Sequence, residues 1–184
     1  RDTRSIAASV RAQLGLSYLL DLGNELIPDP SRPVQHYDFL RNLWSWYVQS
    51  FGTSDSVGFS IALDGVWAAQ NRVSEIGAIF GANTPRALQL HIYGDHHPAT
   101  GWPTNEREDE IFSAAHQILT RQSLSAFSAL PWIIGETWYG DTLSAERHDA
   151  AIRTTGRKIW FLLQWPRYRN DVPGMGHPAC NIPP

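Results

Sequence analysis

The strongest constraint in this chain is a repeated change of hydrophobic period. Five short, nearly continuous apolar runs recur along it: "LSYLLDLGNE" (16–25), "SVGFSIALD" (56–64), "ALQLHIYGD" (87–95), "PWIIGE" (131–136) and "IWFLLQWP" (159–166). Between them lie longer segments with helical spacing. "TRSIAASVRAQLG" repeats Ile6, Val10 and Leu14 before Gly15 stops it, and the others are "VQHYDFLRNLWSWYVQSFG", "WAAQNRVSEIGAIFGAN", "EREDEIFSAAHQILTRQSLSA" and "SAERHDAAIRTTGRK". The fourth opens with acids, as the positive end of a helix macrodipole prefers. Strands that are apolar on both faces, separated by helices, are what a parallel sheet covered by helices requires. The expectation is an α/β chain: one helix, four strand–helix units, and a fifth strand.

Each apolar run ends in polar residues: Asn24-Glu25, Asp64, the His91, Tyr93 and Asp95 group, Glu136, and Gln164. In parallel α/β folds these are the carboxyl ends of strands, where active sites assemble. Glu25 and Glu136 each follow an apolar run directly. Facing one pocket, they would form the carboxylate pair that glycoside hydrolysis needs. One carboxyl must hold a proton for the leaving oxygen while the other is ionised. An anionic neighbour in a partly dry pocket is expected to raise the pKa of its partner and so divide the roles. Asp64 reads first as an N-cap for a helix beginning near Val66.

Composition narrows the function classes. The chain has 184 residues, 42% of them hydrophobic, and 15 basic against 18 acidic residues for a net charge of −3. That supports a folded core and offers no basic stripe for nucleic acid. No apolar run approaches the roughly 18 residues of a membrane span. A single cysteine, Cys180, excludes an internal disulfide and a Cys-based zinc motif. It leaves the compartment open, with a secreted or periplasmic location favoured over the cytoplasm. GxSxG, P-loop and GxGxxG motifs are absent from the sequence. Eight tryptophans serve either the core or aromatic platforms for sugars, and the core is the first expectation.

"LGNE" at 22–25 and "IIGETW" at 133–138 resemble the acid/base and nucleophile motifs of the retaining (β/α)8-barrel glycoside hydrolases of clan A, with the cellulase-like members nearest. In that clan an Asn-Glu pair ends the fourth strand and a second Glu ends the seventh. The two glutamates here are 111 residues apart, a fit to three barrel units of roughly 30 to 40 residues each. The resemblance implies β-glycoside hydrolysis by double displacement, with Glu25 as acid/base and Glu136 as nucleophile. It further implies that Asn24 binds the sugar 2-hydroxyl and that His91 and Tyr93 are the sixth-strand pair, the tyrosine donating to the nucleophile. Trp165 would be the eighth-strand aromatic beneath the sugar. Trp138, just past the nucleophile motif, is a further substrate-binding candidate that could line the cleft or cap the barrel. No cofactor and no metal are implied. The tryptophan content leans towards a glucan- or mannan-like polysaccharide.

The same resemblance makes residues 1–184 the C-terminal portion of a single TIM-barrel catalytic domain, covering strands four to eight. Strands one to three would precede Arg1, and the segment carrying them would be the natural partner of this one. Two other functions stay open. One is a non-catalytic, carbohydrate-binding partial barrel. The other is a metal-dependent hydrolase built on His91, Asp95, His96 and His97.

Overall fold

The computed structural model describes residues 2–15, 17–94, 99, 106–137 and 142–163. Helices α1 (Asp2–Leu14), α2 (Val34–Phe51), α3 (Val66–Arg72), α4 (Ile76–Phe80), α5 (Glu108–Leu119), α6 (Ser125–Ser128) and α7 (Thr142–Thr155) alternate with six short strands. These are β1 (Leu20–Asp21), β2 (Ser56–Gly58), β3 (Ile61–Leu63), β4 (Leu88–Ile92), β5 (Trp132–Glu136) and β6 (Ile159–Leu162). Every strand pair is parallel: β1 with β2, and β3, β4, β5 and β6 in chain order. The expected α/β class is therefore observed. Among the described residues no pairing joins β6 to β1, so barrel closure is not part of the observed fold.

Two sequence expectations are corrected. The run "SVGFSIALD" is not one strand but two, because Gly58 adopts φ +72° and breaks the ladder before Phe59 and Ser60. The left-handed backbone frees Phe59 to stack on Phe80 with ring centroids 5.9 Å apart. Two sheets result, and Leu22 N–H to the Gly58 carbonyl (2.7 Å) and Ser60 N–H to the Gly23 carbonyl (3.3 Å) tie the chain after β1 to the segment between β2 and β3. Asp64 does not cap α3: Gly65 precedes that helix, and Asp64 accepts from Arg72 Nη1 at 3.2 Å.

One face of the sheet carries the main core. Ile61, Leu63, Leu88, Leu90, Ile92, Trp132 and Ile134 pack against Leu40, Trp44 and Tyr47 of α2 and Ile111, Phe112, Ala115 and Leu119 of α5. Those spacings of three, four and seven put one stripe of each helix on the sheet. Trp44 and Trp132 are fully buried, so for these two the core reading of tryptophan is correct. The spacing of α1 predicts a helix, and a helix forms, but Ile6, Val10 and Leu14 point outward. Arg4 fixes it instead, donating to Tyr47 Oη at 2.8 Å and to Asp55 while its guanidinium lies 4.2 Å over the Phe51 ring. No helix among the described residues is long and apolar enough to cross a membrane.

The opposite sheet face is only partly apolar. A small cluster of Val57, Ala87 and Ile133, with Leu19 and Trp160, fills its lower part. Towards the carboxyl ends of the strands it gives way to Asp21, Gln89, His91 and Glu136. A methyl group at Gly58 would face both a left-handed backbone and a collision with the Phe80 ring. Gly58→Ala should therefore cost at least about 2 kcal/mol of unfolding free energy in urea titrations; a loss below about 0.5 kcal/mol would contradict this role for the glycine.

Candidate active site

Strict alternation along β5 would send Glu136 to the same side as Trp132 and Ile134, into the helix layer. The ladder prevents it. Leu90 pairs with Ile134, but the next residue, His91, pairs with Glu136, so β5 carries an extra residue at Gly135. This bulge-type shift re-aims the glutamate to the polar face. Gly135 leaves space there. A Cβ on it would lie 2.9 Å from His91 Nε2 and 3.0 Å from both Gln89 Cγ and Nε2.

Glu25 arrives from the other side on a tight turn after β1. Asp21 Oδ1 accepts from Gly23 N–H at 2.9 Å, a local side-chain turn of the kind Asp favours. Glu25 N–H then donates to Ser60 Oγ at 2.8 Å, and Glu25 itself sits at φ +54°. A non-glycine residue held in that region points to a constrained functional position. Asn24 Oδ1 accepts from Ser60 Oγ at 3.5 Å.

His91, 1% exposed, stands between the two carboxylates. Its Nδ1 is 3.0 Å from Glu25 Oε1 and 3.6 Å from Glu136 Oε1. Tyr93 Oη donates to Glu136 Oε2 at 2.5 Å. Burial first, and then the Glu136 carboxylate, raise the Tyr93 pKa, so the phenol stays a donor across the physiological range. The hydrogen bond from His91 is the main cause holding Glu25 below the usual glutamate value, against a smaller opposing effect of burial. The expected division of the pair, one carboxyl raised by its anionic neighbour, is thus not found at Glu25. The imidazole donor outweighs desolvation there.

The five expected residues within the described parts, Asn24, Glu25, His91, Tyr93 and Glu136, converge. Trp138 and Trp165 lie outside the described residues, as do Asp95, His96 and His97 of the metal alternative. One cluster could hold a cation: Glu25, His91 and Glu136 offer ligand atoms all within 4.8 Å of one another. A cleft of about 410 Å³ adjoins Glu25, lined by Asp29, Arg32, His36, Asp64 and Arg72 among others.

Sequence reading missed Asp21, Gln89 and Ser60. The signal for Gln89 was present, since it stands two residues before His91 on one strand and so shares its face. Also missed is a buried polar group behind β5. Glu108, at the start of α5, accepts from Thr137 Oγ1 (3.1 Å) and Ser144 Oγ (2.9 Å), while Thr137 Oγ1 is 2.9 Å from His148 Nε2. Thr137 directly follows Glu136, so this group fixes the end of the strand that presents the glutamate.

Comparison with known protein families, characterised proteins and solved structures finds no match to this chain.

Burial lowers the His148 pKa from 6.5 to about 4, outweighing the attraction of Asp109. The unfolded chain therefore binds the extra proton first as pH falls. The contribution is complete above 6.5 and is lost progressively down to about 4. Urea unfolding should show about 3 kcal/mol of pH-dependent stability in this window that His148→Gln removes. An unchanged pH dependence in that variant would place the loss elsewhere.

Proposed function

We propose that this chain carries the catalytic pair of a retaining β-glycoside hydrolase, acting on oligo- or polysaccharides. The observation that supports it most is the approach of two glutamates from separate strand ends, with one carboxylate oxygen of each within 4.8 Å of the other. Retaining glycosidases hold their carboxyl groups roughly 5 to 5.5 Å apart, and inverting ones roughly 6.5 to 9.5 Å. The chain-ordered, parallel strand pairing also favours a (β/α)8 barrel over a doubly wound sheet, whose strand order reverses at its switch point. In this reading β1, β2 together with β3, β4, β5 and β6 are the fourth to eighth strands of the barrel.

Glu136 is the nucleophile. Tyr93 stabilises its ionised form, which attacks the anomeric carbon as the bond to the leaving oxygen breaks. Glu25 gives that oxygen its proton and then, as a carboxylate, takes one from the water that releases the sugar. Asn24, held by Ser60, is placed for the 2-hydroxyl. The cleft beside Glu25 mixes donors and acceptors and suits a hydroxyl-rich leaving group. Trp138 and Trp165 remain the proposed stacking surfaces.

A second reading has one observation in its favour: the Glu25, His91 and Glu136 set is also a feasible three-ligand cation site. Metal-dependent hydrolysis would be abolished by a chelator and restored by a divalent ion, whereas double displacement is indifferent to both. Sugar binding without turnover would identify the non-catalytic alternative.

On aryl β-glycosides, Glu136→Ala should lower kcat by at least about 10⁴-fold. Azide should restore part of the rate and yield the glycosyl azide of inverted configuration. Full activity in Glu136→Ala would end the proposal. Because His91 holds the Glu25 pKa down, the protonated acid is lost early as pH rises. The basic limb of kcat/KM should therefore move to higher pH in His91→Phe; a limb that stays put would show that Glu25 is not the group it reports.

A further inference from the structure

Among the described residues, the side-chain amide of Gln89 makes two polar contacts. Its Nε2 lies 3.1 Å from Asp21 Oδ2 and 3.2 Å from His91 Nε2. The first contact determines which end of the amide faces the pair. A carboxylate only accepts, and Asp21 Oδ1 already accepts from Gly23 N–H. Turning the amide over would set its oxygen against Asp21 Oδ2, so the NH₂ end must stand there. Its second hydrogen is then the one available to His91 Nε2, 3.2 Å away, and a proton on that nitrogen would oppose donor to donor. His91 Nε2 is therefore the lone-pair nitrogen, and Nδ1 carries the proton. That is the minor tautomer of free neutral histidine.

The Nδ1 proton lies where both glutamates can use it, 3.0 Å from Glu25 Oε1 and 3.6 Å from Glu136 Oε1. Gly135 belongs to the same arrangement, because a side chain there would displace the two ends that meet, Gln89 Nε2 and His91 Nε2. We propose that Asp21, acting through Gln89, fixes the tautomer of His91 so that one imidazole N–H serves both carboxylates in turn. Asp21 and Gln89 are positioning residues, and neither touches the reacting atoms.

The catalytic consequence rests on the glycosidase reading; the tautomer does not. When Glu25 passes its proton to the leaving oxygen, its carboxylate gains the His91 donor. In that same step Glu136 gives its charge to the new ester bond and needs the donor less. The Nδ1 proton stays on His91 throughout, so no further proton acceptor is involved. Among the described residues, the other groups facing this centre are Tyr93, which bonds Glu136, and Arg72, whose charge acts on Glu25.

The test is ¹⁵N NMR of histidine-labelled protein, with the His91 signals identified by their loss in His91→Gln. The expected wild-type pattern is a protonated Nδ1 and an unprotonated Nε2. A protonated Nε2 in wild type would overturn the proposal whatever the activity. In Asp21→Asn the amide of Gln89 is released, and the His91 pattern should shift towards Nε2–H, with kcat roughly tenfold lower and KM little changed. A folded Asp21→Asn protein with the wild-type His91 pattern would also overturn it. Should the expected tautomers appear in a protein that turns over no glycoside, the hydrolase reading falls and the assignment of Asp21 and Gln89 stands.

Discussion

The site depends on one irregularity in one ladder. Between the Leu90–Ile134 and His91–Glu136 pairs the register slips by a residue, and the slip moves a charged side chain from the helix layer to the polar face. Without it, Glu136 would enter the helix layer, where the buried carboxylate of Glu108 already stands and a second ionised carboxylate is strongly disfavoured. With it, the carboxylate meets Tyr93 and His91. The residue that permits the slip is Gly135, because a Cβ there would crowd the side chains of Gln89 and His91. The buried group of Thr137, Glu108, Ser144 and His148 holds the next residue from behind. Glu136 is thus constrained on both sides of the sheet.

The two sheet faces serve opposite ends. The face under α2 and α5 is filled by large apolar side chains in one continuous core, which makes the strands a rigid platform. The other carries only a small apolar cluster and then polar groups linked from Asp21 through Gln89 and His91 to both glutamates. Glu25 reaches that chain by a loop with a left-handed residue, and Glu136 reaches it by a bulge. In both cases a local departure from regular structure aims a carboxylate, and regular structure on either side keeps it aimed.

Much of this was legible in the sequence for identifiable reasons. Apolar runs separated by segments of helical period permit little besides a parallel α/β sheet, and a polar residue at the end of such a run, as at Glu25 and Glu136, marks the carboxyl end of a strand, where the candidate site lies. For His91 and Tyr93 it was the resemblance to clan A that implied a place beside them. What could not be read was set by contacts distant in sequence. The break at Gly58 depends on the Phe80 ring, and Asp64 prefers Arg72 to a helix cap. Gln89 acquires its role only because Asp21, 68 residues earlier, stands opposite it. The low pKa of Glu25 likewise follows from where His91 Nδ1 points, which depends on register rather than spacing.

The spacing of the two carboxylates makes a stereochemical claim, and the anomeric configuration of the first-formed product tests it most directly. Proton NMR of a β-glycoside during early turnover should show the β-hemiacetal appearing first, with the α-anomer arising later by mutarotation. An α-anomer formed first would mean single displacement by water, and would contradict the assignment of Glu136 as a nucleophile.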